Sequence, residues 1–263
     1  MKTRMSIWVI LAIALVLTVS MLGYRRVNVQ RKPHAERIED EQAVQAYDRV
    51  NRRPEFRFLR RMIVGQLKNH RPEGVLVDVG CGPGYLVAGI AKSLPHLRII
   101  GIDIAEDMIH RATDKLSSLS FNEQVEFRQG DAQKLPFQDS TVDFVVTTLS
   151  LHHWRNAQEA LDEIYRVLRF GGQFLLFDFR RDGRQLFYWL FRFAQTFTVP
   201  APLRRINEPT ASVFSSYTPV ELEALLSATS FQEWKIKPGL GWLFVWGHKR
   251  WLAQQTSQRN FQQ

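Results

Sequence analysis

Apolar and polar positions repeat along this chain at two periods, and the change of period marks out its elements. Runs at Val75–Val79 (VLVDV), Leu97–Asp103 (LRIIGID), Val125–Asp131 (VEFRQGD) and Val142–Leu149 (VDFVVTTL) are short and rich in Val and Ile, as strands buried inside a sheet are. Stretches with helical spacing separate them. From Ala157 a further helix is expected to end at the glycine pair Gly171-Gly172 and to feed a buried strand closing on Asp178. Strands alternating with helices predict an α/β domain with a mostly parallel sheet. Two segments break the alternation. Leu186–Phe193 (LFYWLFRF) is apolar nearly all round apart from Arg192, so this helix should be buried on more than one side. It either packs on the sheet or, with residues 196–216, covers a greasy acceptor site or dips into a membrane interface. Met5–Tyr24 is a run of 20 residues without a charge, long enough as a helix to cross roughly 30 Å of hydrocarbon.

Between the first strand and the helix after it stands Asp78-Val-Gly-Cys-Gly-Pro-Gly84. Glycines at every second position let the backbone turn sharply and approach a ligand where a Cβ would clash. The spacing G-x-G-x-G differs from the dinucleotide fingerprint G-x-G-x-x-G. The second strand closes on Asp103, 19 residues after Gly84. That carboxylate could accept both hydroxyls of a ribose or cap the helix beginning near Ala105.

This loop, followed about two dozen positions on by an acid, resembles the first motif of class I S-adenosylmethionine-dependent methyltransferases. With the later segments it resembles the subgroup containing the ubiquinone- and menaquinone-biosynthesis methyltransferases, over roughly residues 47–249. The resemblance implies a Rossmann-like, seven-stranded, mostly parallel sheet with helices on both faces, and S-adenosylmethionine as cofactor. It implies that Asp78, Gly80, Gly82 and Gly84 shape the cofactor loop, that Asp103 with Ile104 holds the ribose, and that Asp131 and the N–H of Ala132 meet the adenine. In A-Y-D-R-V it makes Tyr47 a lid residue near the methionine end. It also implies a last helix from Tyr217, capped by Thr218 with Pro219 in its first turn, and closing strands at Phe231–Lys237 and Gly241–His248.

Composition then narrows the partners. The chain's 263 residues, 45% hydrophobic, suffice for one three-layer core. Cys81 is the only cysteine, so an internal disulfide and a cysteine metal site are excluded, and the absence of a second cysteine argues against the thiol-nucleophile chemistry of the cytosine-C5 type. No N/D-P-P-Y/F tetrad follows the fourth strand, which removes support for amino-group methylation of nucleic acid. No metal site is expected. Much of the net charge of +9 lies between Arg25 and Arg71. Beside an apolar run such a basic series suits anionic lipid headgroups, or forms a solvated helix face, better than it forms a nucleic-acid groove.

The expected organisation is a transmembrane anchor over 1–24, a basic juxtamembrane and lid segment over 25–70, a methyltransferase domain over 71–249 and a polar tail over 250–263. The weak small-x-small site at Thr18–Ser20 favours an uncleaved anchor over a signal peptide. Arg25, Arg26, Arg31 and Lys32 outnumber Lys2 and Arg4 across the run, which puts the catalytic domain on the cytoplasmic side of a single-pass protein. His152 and His153 follow the fourth strand at the edge where open α/β sheets bind ligands, and are the candidate proton acceptors; the same L-H-H-W also reads as a structural turn. The expected function is methyl transfer to a small, lipophilic acceptor at the membrane. The alternatives are an RNA methyltransferase and a catalytically silent, membrane-tethered scaffold.

Overall fold

The computed structural model describes residues 23–27, 29–33, 41–117 and 123–250. The anchor expected at Met5–Tyr24 lies, but for its last two residues, outside the described residues, as does the tail from 251 on. Among the described residues no helix is long and apolar enough to cross a membrane. Two helices, α1 (Glu41–Asn51) and α2 (Pro54–Asn69), precede β1 (Val75–Val79), α3 (Tyr85–Ser93), β2 (Arg98–Asp103), α4 (Glu106–Ser117), β3 (Val125–Gln129) and β4 (Val142–Thr148). A single turn of 3₁₀ helix at Leu151–His153 leads to α5 (Ala157–Val167) and β5 (Leu168–Phe179). After them come α6 (Gln185–Thr198), the short α7 (Ala201–Arg205) and α8 (Thr210–Ser215), then α9 (Pro219–Ser227), β6 (Glu233–Pro238) and β7 (Trp242–His248).

The seven strands form one sheet in the order β3-β2-β1-β4-β5-β7-β6. The five that begin the order are parallel, and β7 runs antiparallel between β5 and β6. Alternation along β1 and β2 divides the core. Leu76 and Ile99 face a layer with Ile63 and Leu67 of α2 and Val87 and Ile90 of α3; Val77 and Ile100 face a layer with Leu161 and Ile164 of α5 and Leu222 and Leu226 of α9. Both layers are fully buried, so shortening Leu161 to Ala is worth about 2–5 kcal/mol of stability. Thr218 caps α9 in a reciprocal box with Glu221, with Pro219 in the first turn. The glycine pair corrects one expectation. Gly171 and Gly172 do not stop α5; they lie inside β5, where the register against β4 shifts between Val142 and Phe144.

Strand order reverses between β1 and β4, and in an open α/β sheet that opens a crevice at the carboxyl ends of the strands. The glycine loop, Asp103, both histidines and the last residues of β5 all belong to that edge.

Candidate active site

The loop after β1 is pinned from both sides. The N–H groups of Gly80 and Cys81 donate to Ile102 O at 2.8 and 2.9 Å, and Gly82 N–H donates to Asp103 Oδ2 at 2.8 Å. Gly80 has φ +77°, and a Cβ there would collide with Ser150 Oγ. Gly82 has φ +52°, with no atom within 4 Å of where a Cβ would stand, yet it borders a cavity of about 220 Å³. The space beside it is open to a ligand. Gly84 completes the turn and precedes the first residue of α3.

Asp103 uses both carboxylate oxygens locally, accepting from Gly82 N–H and, at 2.9 Å, from Ala105 N–H. It therefore braces the loop and the entry to α4 while still facing the cavity. Burial raises its pKa, and the N–H groups of Ala105, Gly82 and Ile104 oppose that. Behind the loop Asp78 is 1% exposed, with neither oxygen hydrogen-bonded among the described residues. Burial, reinforced by the nearby charge of Asp103, pushes its pKa up to about 8, so at neutral pH it is a protonated donor.

The opposite wall is made of side chains. His152 is 2% exposed and borders the cavity, and its Nδ1 stands 2.6 Å from Asp178 Oδ1. Asp178 Oδ2 accepts from the backbone N–H of His152 at 3.2 Å, and Oδ1 also accepts from Phe179 N–H at 2.7 Å. With the carboxylate as acceptor, His152 carries its proton on Nδ1, which leaves a lone pair on Nε2. That Nε2 is buried and has no hydrogen-bond partner among the described residues. His153 also lines the cavity, its ring centroid 4.0 Å from that of His152. Phe179 and the segment carrying Glu208, Pro209 and Ser212 complete this wall.

Tyr47 and Asn51 of α1 and Phe56, Leu59, Arg60 and Ile63 of α2 close a third side. A polar clasp ties this lid to the loop. Tyr85 Oη donates to Asp48 Oδ1 at 2.8 Å, Arg52 Nε donates to Tyr85 Oη at 2.8 Å, and Lys115 Nζ donates to Pro83 O at 2.7 Å. Lys115 lies 3.3 Å over the Tyr85 ring, and burial lowers its pKa to about 8.

The structure thus gathers Tyr47, Gly80, Gly82, Asp103, Ile104, His152 and His153 around one cavity, with Asp78 and Gly84 behind the loop. Asp131 and Ala132 do not line it. They follow β3, next to Gly130, whose N–H donates to Asp103 O at 2.9 Å. The Asp131 carboxylate accepts from Gln133 N–H at 2.9 Å, and Ala132 is buried in the core. Sequence reasoning passed over Asp178, Phe179 and the 208–212 segment; the one available signal was that Asp178 ends its strand as Asp103 ends β2.

A parallel sheet of this order with a pinned glycine loop at its switch point defines the class I S-adenosylmethionine-dependent methyltransferase fold. Residues 77–176 match the family model described as a methyltransferase domain. The chain is 32% identical over 122 residues to the ubiquinone/menaquinone biosynthesis C-methyltransferase UbiE of Hydrogenovibrio crunogenus, covering 46% of this chain and 48% of that protein. The chain spans about half the length or less of the first curated relatives it matches. The plantazolicin methyltransferase BpumL, solved in complex with SAH, superposes with a TM-score of 0.64 at 17% identity over 81% of this chain and 92% of its own. A SAM-dependent methyltransferase from Aquifex aeolicus gives 0.54 at 20% identity over 70% and 87%. Residues 77–176 thus match a methyltransferase domain, within a sheet that has the class I S-adenosylmethionine-dependent methyltransferase fold.

The residues present fit that cofactor. Gly82 leaves room for it, and Asp103 keeps acceptor capacity on oxygens that each have two lone pairs.

Proposed function

We propose that the chain transfers a methyl group to a small, lipophilic acceptor at a membrane. The observation that carries the reading is the Asp178–His152 pair, which stands in the wall of the cavity that the glycine loop borders and leaves the second imidazole nitrogen without a hydrogen-bond partner among the described residues. S-adenosylmethionine, held by Gly80, Gly82, Asp103, Ile104 and Tyr47, would supply a methyl group on a sulfonium, already a strong electrophile. The protein's part is to align the acceptor, exclude water and remove a proton. His152 Nε2 takes that proton from an acceptor hydroxyl or acidic carbon. Asp178 fixes the tautomer and balances the imidazolium that results. The lid helices and the 208–212 segment keep water out.

The acceptor class is supported by the apolar lining, with Phe56, Leu59, Ile63, Met108 and Phe179 around the cavity, and by the name of the quinone-biosynthesis relative. The membrane location, with the domain on the cytoplasmic side, is supported by the uncharged run at Met5–Tyr24 and the basic residues after it. The test is to incubate membranes containing the protein with methyl-labelled S-adenosylmethionine and follow the label by mass spectrometry. Label in a lipid-soluble small molecule, lost in His152→Ala, is the expected result. Label confined to RNA would replace the reading with an RNA methyltransferase, and no label anywhere would leave a silent scaffold.

A further inference from the structure

Helix α6 has two apolar faces, and only one is covered. On the inner side Phe187 meets Trp242 and Phe191 meets Phe179, with ring centroids 5.8 and 5.9 Å apart, and Tyr188 meets Phe214 at 5.7 Å. On the outer side Trp189, Phe193 and Phe197 follow one another at intervals of four residues, each against the next at 6.0 and 4.7 Å, and all three are exposed, Phe197 by 70%. Leu190 beside them is exposed too. A helix apolar on every side belongs in a fully apolar surround, so the outer stripe calls for a partner.

Two observations choose that partner. From Arg184 to Asn207 the chain has four arginines and no acid. Arg192 projects from the helix, Arg204 donates to Thr196 O at 2.8 Å, and Arg53 of the lid region donates to Thr198 O at 2.8 Å. The charged residues of this stretch are all cations, which favours an anionic occupant. Second, the end of the uncharged run joins the fold here. Val27 N–H donates to Gly183 O at 3.1 Å and Gln185 N–H to Arg25 O at 2.8 Å, so the sequence that reads as an anchor ends beside the first turn of α6.

We propose that the outer face of α6, centred on Trp189, Phe193 and Phe197, lies in the headgroup region of an anionic phospholipid bilayer. Trp and Phe are suited to that depth, and Arg192, Arg204 and Arg53 meet the phosphates. The inference deepens the reading above and rests on its membrane location. Through Phe191 on Phe179, which lines the cavity, the lipid-facing helix is also part of the cavity wall, so an acceptor dissolved in the bilayer enters along α6.

Cys81 is buried and is the chain's only cysteine, so a thiol placed on an exposed position can be labelled selectively. The full chain is prepared as Phe193→Cys, as Phe197→Cys and, for control, as Glu223→Cys on α9, which packs on the other face of the sheet. Each is labelled with an environment-sensitive fluorophore and reconstituted into vesicles of phosphatidylcholine and phosphatidylglycerol. Emission from 193 and 197 should shift to the blue and be quenched by lipids spin-labelled near the headgroup, while 223 keeps its aqueous spectrum. An aqueous spectrum at 193 and 197 in membrane-inserted protein overturns the inference. So does a blue shift that appears without vesicles and grows with protein concentration, which would mean a second copy covers the stripe. Lipid quenching at α6 with no methylation of a lipophilic acceptor would leave this surface standing and remove the acceptor class instead.

Discussion

The loop wall of the cavity is made mostly of backbone, whereas the histidine wall is made of side chains brought from distant parts of the chain. On the loop wall, N–H groups of Gly80, Cys81 and Gly82 are held by Ile102 O and Asp103 within one β-α-β unit. On the histidine wall, His152 depends on Asp178, 26 residues later on a neighbouring strand, and the start of α9 is fastened by Arg181, which is bonded to Val29 O, Ser216 O and Glu221. A wall of backbone suits a ligand of fixed shape. A wall of side chains can be changed without disturbing the first, which is how one fold serves many acceptors.

If the walls work separately, their disruption should show in different measurements. The largest effect is expected for His152→Ala, which removes the proton acceptor and should lower kcat about 10²–10⁴-fold, with cofactor affinity measured by calorimetry unchanged. Asp178→Asn should follow it in kcat, since an amide no longer fixes the Nδ1–H tautomer. A parallel loss of cofactor affinity in either variant would break the comparison.

Next comes the loop wall. Asp103→Ala removes charge-assisted bonds and frees Gly82, and should weaken cofactor binding by about 1.5–3 kcal/mol, or roughly 10- to 150-fold. At saturating cofactor, kcat should recover to near the parent value.

A smaller effect is expected where the histidine wall is fastened. The pair with Arg181 holds Glu221 down to about 2. Because its folded pKa lies below its unfolded one, its contribution is present above about pH 4.5 and fades as the pH falls toward 2. Glu221 is 39% exposed and Arg181 8% by side chain, so Glu221→Gln should cost about 1–2 kcal/mol in denaturant unfolding at pH 7, between the surface and buried limits. The difference should close in acid.

Asp78 acts on stability with the reverse sign, and its effect grows with pH. With a folded pKa near 8 against an ordinary carboxylate value in the unfolded chain, the folded state holds an extra proton between about pH 4 and 8. Stability without cofactor therefore declines across that window by up to about 1.4 kcal/mol per pH unit. Asp78→Asn should flatten the decline, leaving the variant little changed near pH 5 and more stable at pH 8, as thermal unfolding would show. A parent protein whose stability is level from pH 5 to 8 would remove the neutral Asp78 from the account.

The loop wall was the legible one because backbone construction leaves local marks. A turn at positive φ needs glycine at Gly80 and Gly82, and a bracing acid must stand at the end of the next strand, so the pattern is readable without knowing the fold. Asp131 and Ala132 carry no such local mark: the resemblance alone implies their adenine role, and the Asp131 carboxylate accepts from Gln133 N–H. Gly171-Gly172 looked like a helix stop because glycine serves both a helix end and a strand irregularity. Asp178 shares only its place near a strand end with Asp103, and Arg181 has no such mark. Their partners lie across the sheet or at the far end of the chain, and nothing in their immediate neighbours distinguishes them from other charged residues at a strand end. The outer stripe of α6 was visible as an aromatic run, but its division into a covered and an open face emerges only from what packs on it.

The most direct test of the separate walls is a double-mutant cycle on Asp103→Ala and His152→Ala, reading cofactor Kd and the single-turnover rate of methyl transfer at saturating cofactor. Asp103→Ala should move only Kd and His152→Ala only the rate, and the double variant should show the sum within about 0.5 kcal/mol, as independent sites do. A His152→Ala enzyme that binds cofactor as weakly as Asp103→Ala, or a coupling well above 1 kcal/mol, would mean that the two walls form one site and that His152 holds the cofactor instead of taking the acceptor's proton.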